Sequence, residues 1–391
     1  MTQKSILLII TLTLLVTFAF TQTPSLIIPK NINLPRDTFF REQLISSINN
    51  FLSLKDKPNN ENTFVLQEDL LETSLLLDEM KEIEKSRKMK DDNFYKGYLT
   101  NVMPLKDSNY LIQFTYVGVN RDTPVIRASF SIIAKKLNKH FFFSSPLKQN
   151  TINWKHHKID NSTVYFKNKI NTAKEKLYFK MIGAYDKKLG VENFQTEFYS
   201  CDNLNECLRL IGVDYKSEYN GNSFSSLSAI ENKVNLVVNG TLTSDFTAFD
   251  PHDLWHSRLH KVISTNIINK PVDEGTAYLY GGSWGQSWKE ILRKFKNYAT
   301  SNPNADWLTL YNEEKNFDDK QKYPLNGDYV INALIIQKIE NEKGFAIVKE
   351  LLSCGKYQKN NENYFLALEK ITGITKANFN SKVWMLINNE F

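Results

Sequence analysis

Cysteine is scarce in this 391-residue chain, which carries only Cys201, Cys207 and Cys354. Three thiols at those spacings do not make a zinc cluster. Cys201 and Cys207 leave two readings open in an oxidising compartment, a small disulfide loop or free thiols, because spacing alone does not fix the geometry a disulfide needs. Cys354 lies in an apolar helical pattern and reads as simply buried. Long apolar runs are missing after the first 20 residues, so no later stretch suits a membrane span of about 20 residues. Basic residues outnumber acidic ones by a formal charge of +6, but the lysines are scattered rather than gathered into a stripe. Nucleic-acid binding is therefore not indicated. Internal repeats and low-complexity tracts are absent. The glycine-rich "YGGSWGQSW" (Tyr280–Trp288) lacks a lysine-serine phosphate signature and reads as a loop near a cleft, not a nucleotide site. Histidine is also rare, at six residues, and three of them fall at His252, His256 and His260.

The opening "MTQKSILLIITLTLLVTFAFTQTP" sets one lysine before an apolar run from Ile6 to Phe20, followed by small and polar residues. That order is the one of a secretory signal peptide, here residues 1–22, and the run is short for a transmembrane anchor. The expected mature protein is exported, to the periplasm or the medium, with no membrane span. Its composition, 41% hydrophobic and 24% charged, is ordinary for a globular protein, and its length suits two domains.

Patterning divides the chain near residue 160 into two α+β regions. In the first, residues 23–160, "LQEDLLETSLLLDEMKEIEKSR" (Leu66–Arg87) has helical periodicity. "NYLIQFTYVGV" (Asn109–Val119) and "PVIRASFSIIAKK" (Pro124–Lys136) alternate like strands around a polar turn, Asn120–Thr123, predicting a hairpin. Lys139–Ser145 and Ser162–Lys167 look like further strands. The first region thus reads as a small helix-plus-antiparallel-sheet domain without visible chemistry. His156 and His157 are adjacent, point different ways and make a poor metal pair. In the second region, residues 161–391, helices are expected over Asn171–Gly190 and Leu204–Gly212, with strands at Phe194–Cys201 and Asn232–Gly240. Helices fill the remainder, with a break at Gly373.

Asp250 and Pro251 mark the start of a helix that carries "DPHDLWHSRLH". Residues i and i+4 lie one above the other on a helix face. Two imidazoles so spaced can grip one zinc ion, whose bonds to nitrogen are about 2.0–2.1 Å. Half of all the histidines gathered on one face argue against unrelated surface or core residues. Two histidines leave zinc short of a ligand, often a carboxylate, and the helix expected next offers Glu274 in "VDEGTAY". The bland role for Glu274, an acid near a helix N-terminus, does not conflict with ligation.

"HDLWH" followed by "DEGTAY" resembles the gluzincin metallopeptidases, the thermolysin- and aminopeptidase-like group also called peptidase MA-like. Their pattern is HExxH on one helix and a glutamate ligand on the next. The resemblance extends over about 160–391, including the strand "NLVVNG" ahead of the histidines and the late "EKITGITKANFNSKVW" (Glu369–Trp384). It implies a gluzincin-like domain of mixed sheet, active-site helix, glutamate helix and C-terminal helices. It also implies a Zn²⁺ held by His252, His256 and Glu274, and a peptide or protein substrate. Laid over His252–His256, the pattern puts Asp253 in the general-base position; laid over His256–His260, it puts Ser257 there, which cannot act as a base. The first register is preferred, since it leaves a carboxylate beside the metal water. His260 then stands one turn on, as an outer or substrate-facing residue able to steady an oxyanion.

The departure from the family is Asp253 in place of glutamate, one methylene shorter. Misplacement by about 1 Å can cost on the order of 10²-fold in rate. A tyrosine that stabilises the oxyanion in aminopeptidase-like members sits in a Y-x-x-G-A motif, which "DYVINALII" matches with Tyr329 and Ala333 but with Asn332 for glycine; a packed core aromatic is the other reading. The functional expectation is an exported zinc peptidase. Its alternatives are a catalytically impaired gluzincin-like pseudoenzyme that serves as a binding module, or an exported structural protein without metal.

Overall fold

The structure, a computed structural model, describes residues 26–388 except 139, 193, 318–323 and 359–360. The expected leader, 1–22, lies outside the described residues. The chain is α+β, with 13 helices and two sheets among the described residues. In chain order the first strands are β1 (Leu26–Ile27), β2 (Lys96–Pro104), β3 (Asn109–Asn120), β4 (Thr123–Leu137), β5 (His140–Ser144), β6 (Lys155–Ile159) and β7 (Ser162–Phe166). Then come β8 (Gln195–Ser200), β9 (Val213–Lys216), β10 (Ser226–Glu231) and β11 (Val234–Asn239). No described helix is long and apolar enough to cross a membrane.

One compact unit comprises the described residues to 156 with 164–167 and 196–241. Its larger sheet has the order β1-β2-β3-β4-β5, with β9 also paired to β4. Only β1–β2 is parallel; the other pairings are antiparallel. The β3–β4 hairpin turns through Arg121 and Asp122, both at positive φ (46° and 64°). That conformation suits a two-residue turn because it follows the right-handed twist of the strands. Phe51, Phe114, Phe130, Phe141 and Phe143 are among the largest fully buried side chains of its core. The second sheet has the order β10-β11-β8-β7-β6.

This unit does not end at residue 160. Cys201, Leu204, Cys207, Ile211 and Val213 belong to the same core cluster as Phe51 and Phe130, and β9 adds to the edge of β4. The segment 196–241, assigned to the second region from sequence order, is thereby part of the first. Cys201 and Cys207 are buried free thiols.

The helix expected over Leu66–Arg87 is shorter, Leu70–Met80 after a 3₁₀ turn at Gln67–Asp69. Lys81 turns extended at ψ 134° and Glu82 takes φ 55°, while the Glu82 N–H donates to Asp56 Oδ1 at 2.8 Å. A tertiary partner captures the chain where the apolar period alone would continue it. A helix over Thr38–Ser53, capped by Asp37, precedes it.

The other unit comprises 157–163, 168–195 and the described residues from 242. Its first helix, Thr172–Leu189, is capped by Asn171 and closed by Gly190 at φ 73°. The histidine helix follows at Pro251–Leu259, the glutamate helix at Lys270–Gly281 and the tyrosine helix at Gly327–Lys343. Gly373, at φ 73°, closes Glu362–Thr372 ahead of the helix Phe379–Asn388, as the break in the pattern suggests.

Gly212 gives a direct test of how β9 is tied to β4. It sits at φ 100°, and a Cβ there would lie 2.2 Å from the Ser131 carbonyl oxygen. Its own carbonyl accepts from Ser131 N–H at 2.8 Å. Gly212→Ala should lower stability by about 3 kcal/mol, combining a forbidden φ with a backbone clash. A shift in the urea midpoint measures it; an unchanged midpoint would contradict this pairing.

Candidate metal centre

The histidine helix begins where Asp250 Oδ1 accepts the His252 N–H at 2.9 Å, with Pro251 in the first turn. Capping fixes the phase of the helix, and the phase stacks His252 and His256 one turn apart. Two small residues let the glutamate helix approach. At Gly281 a Cβ would fall 2.7 Å from His252 Cα, and at Gly275 one would fall 2.6 Å from Asn332 Cβ on the tyrosine helix. Trp255, fully buried, donates from Nε1 to Thr276 Oγ1 at 2.7 Å and so ties the two helices together. Thr276 Oγ1 donates in turn to the Asp273 carbonyl at 2.6 Å.

His252 Nδ1 lies 2.7 Å from the Gly282 carbonyl oxygen, and His256 Nδ1 lies 2.8 Å from Asp273 Oδ1. A carbonyl and a carboxylate only accept, so both Nδ1 atoms carry hydrogen. In each neutral ring the lone pair is then on Nε2. Those two Nε2 atoms face each other at 3.1 Å, and Glu274 Oε2 stands 3.4 Å from His252 Nε2 and 3.7 Å from His256 Nε2. Three acceptors meeting at one place repel unless a cation sits among them.

The spacing fits zinc. A tetrahedral site with bonds of about 2.0–2.1 Å has ligand atoms roughly 3.3–3.4 Å apart, and the observed 3.1, 3.4 and 3.7 Å bracket that value. His252, His256 and Glu274 thus form a donor set able to hold a metal ion.

The electrostatics express the same demand. Burial opposes charge on His256, but the Asp273 and Glu274 carboxylates outweigh it and hold the imidazole up at about 10. Burial likewise opposes charge on His252, and its bonds to Glu274 and Gly282 still raise it above the ordinary range. Burial would raise Glu274, yet the two imidazoles keep its carboxyl down at about 2. Without a metal, the proton that His256 retains supplies positive charge at this place.

The remaining sequence-predicted residues have different surroundings. Asp253 is exposed on the first turn of the histidine helix, and no hydrogen bond or ion pair among the described residues holds its carboxylate. Tyr329 is half-buried and stands edge-on to Tyr278, ring centres 5.5 Å apart; Tyr278 is in turn 5.9 Å from the His252 ring. Burial, then the Glu274 and Asp328 carboxylates, push the Tyr329 hydroxyl above the usual phenol range. His260 forms the C-cap of the histidine helix and points Nε2 at Asp273 Oδ2, 2.8 Å away.

Sequence reasoning gave no role to Asp273, Thr276 or the Gly282 carbonyl. Asp273 was in view as the residue beside Glu274, and its two-histidine contact is a property of how the helices face each other. Comparison with protein-family models, curated proteins and solved structures finds no match.

Metal binding must displace the proton that His256 holds at neutral pH. Binding at pH 7 should therefore release at least one proton, and apparent affinity should fall about tenfold per unit of acidification for each proton displaced. Calorimetry in buffers of different ionisation enthalpy counts the protons; a pH-independent affinity would contradict the arrangement. Gly275→Val should separate the glutamate and tyrosine helices, costing about 2–4 kcal/mol and weakening metal binding in a titration.

Proposed function

We propose that the chain is an exported zinc-dependent metallopeptidase with a gluzincin-like catalytic region, acting on a peptide or protein substrate. The observation that carries this reading is the meeting of the His252 and His256 Nε2 atoms with Glu274 Oε2 at 3.1–3.7 Å, with both Nδ1 atoms already bound elsewhere. Imidazole and carboxylate donors on adjacent helices, three in number, match the donor set of catalytic zinc, which takes three protein ligands where structural zinc takes four. The apolar leader at Ile6–Phe20 supports export.

A zinc ion held by His252, His256 and Glu274 would supply Lewis-acid polarisation of a scissile carbonyl and would lower the pKa of a water. The chain's own residues do the rest. Asp253, exposed and without a partner among the described residues, would take the proton of the attacking water and pass it to the leaving amine. Tyr329, kept protonated by its surroundings, donates its hydroxyl to the carbonyl oxygen as negative charge develops on it.

One observation favours a second reading, a metal-retaining binding module without hydrolysis. The Asp253 carboxylate is one methylene shorter than glutamate, and no neighbour among the described residues orients it toward the metal. The two readings separate on zinc content and on cleavage of a mixed peptide library. The peptidase reading predicts about one equivalent of zinc and a loss of about 10²-fold or more in cleavage for Asp253→Asn. Asp253→Glu should raise the rate if reach is the shortfall. Zinc retained without any Asp253-dependent cleavage would favour the binding module instead.

A further inference from the structure

Both oxygens of the Asp273 carboxylate are engaged by imidazoles, Oδ1 with His256 Nδ1 and Oδ2 with His260 Nε2, each at 2.8 Å. The Asp273 side chain is 8% exposed, whereas that of His260 is 35% exposed. A carboxylate held through one oxygen can still swing about its terminal torsion; a second bond fixes its plane. The direction of His256 Nε2 depends on where Asp273 holds the opposite nitrogen. From these contacts, and resting on the zinc reading above, we infer that His260 is a positioning residue: it locks the Asp273 carboxylate, which in turn aims His256 at the metal.

This assigns His260 a task other than the oxyanion contact suggested by its spacing. Its Nε2 is directed at Asp273. It also explains why a third histidine follows the metal-binding pair at the same four-residue interval. The dipeptide Asp273–Glu274 then serves both sides of one ligand set, Glu274 by contact and Asp273 through His256. A merely structural His260, a side chain that only caps the helix end, would affect stability without regard to Asp273.

The test is a double-mutant cycle on the full chain, stripped of metal and titrated with zinc against a chromophoric chelator. Loss of an outer partner of a metal ligand typically weakens affinity about 10–100-fold. His260→Ala should therefore weaken zinc binding about tenfold, and the isosteric Asp273→Asn by more. In the Asp273→Asn background, His260→Ala should add nothing. His260→Gln, which keeps an N–H able to reach Asp273, should recover part of the loss. Wild-type affinity in His260→Ala, or the same loss in both backgrounds, would overturn the relay while leaving the metal centre intact. Failure of the wild-type chain to bind zinc would overturn the metal reading and the relay together. Melting temperatures of the metal-free variants separate stability from affinity.

Discussion

The second unit is organised around one encounter that demands a positive charge, a metal ion or a ring proton: two imidazole Nε2 atoms and a carboxylate oxygen brought within 3.1–3.7 Å of one another. A fold does not hold such groups together without help, since each prefers water or a donor. Here the help comes from outside the triangle. The Gly282 carbonyl and Asp273 fix both rings from behind; the Trp255–Thr276 bond joins the two helices; the bare backbone at Gly281 allows close approach. The high imidazole pKa of His256 and the low carboxyl pKa of Glu274 reflect the mutual attraction of their charged forms, which overcomes burial.

Much of this framework is local in sequence. Asp250 and Pro251 announce the histidine helix, and the four-residue spacing of the histidines states which face they share. Gly190, Gly373 and the Asn120–Thr123 turn also read correctly, because capping and turn chemistry depend on few residues. The α+β class follows from the change of hydrophobic period along the chain.

What was not legible depends on partners distant in the chain. The helix after Leu66 stops at Met80 because Asp56 captures the Glu82 N–H. The segment 196–241 joins the first unit through β9–β4 pairing and a shared core, whereas linear order places it with the histidines. Asp273 and Glu274 are neighbours on a helix, about 100° apart around its axis, and only packing decides that both meet the histidine helix. The same packing gives His260 its contact with Asp273 and leaves Asp253 exposed.

The central claim is that a cation belongs among His252, His256 and Glu274. X-ray absorption at the zinc edge, on protein reconstituted with one equivalent of zinc and dialysed, tests it most directly. The account predicts four-coordinate zinc with two imidazoles and oxygen donors at about 2.0–2.2 Å. Zinc that dialyses away, or remains in an all-oxygen shell without imidazole scattering, would contradict it.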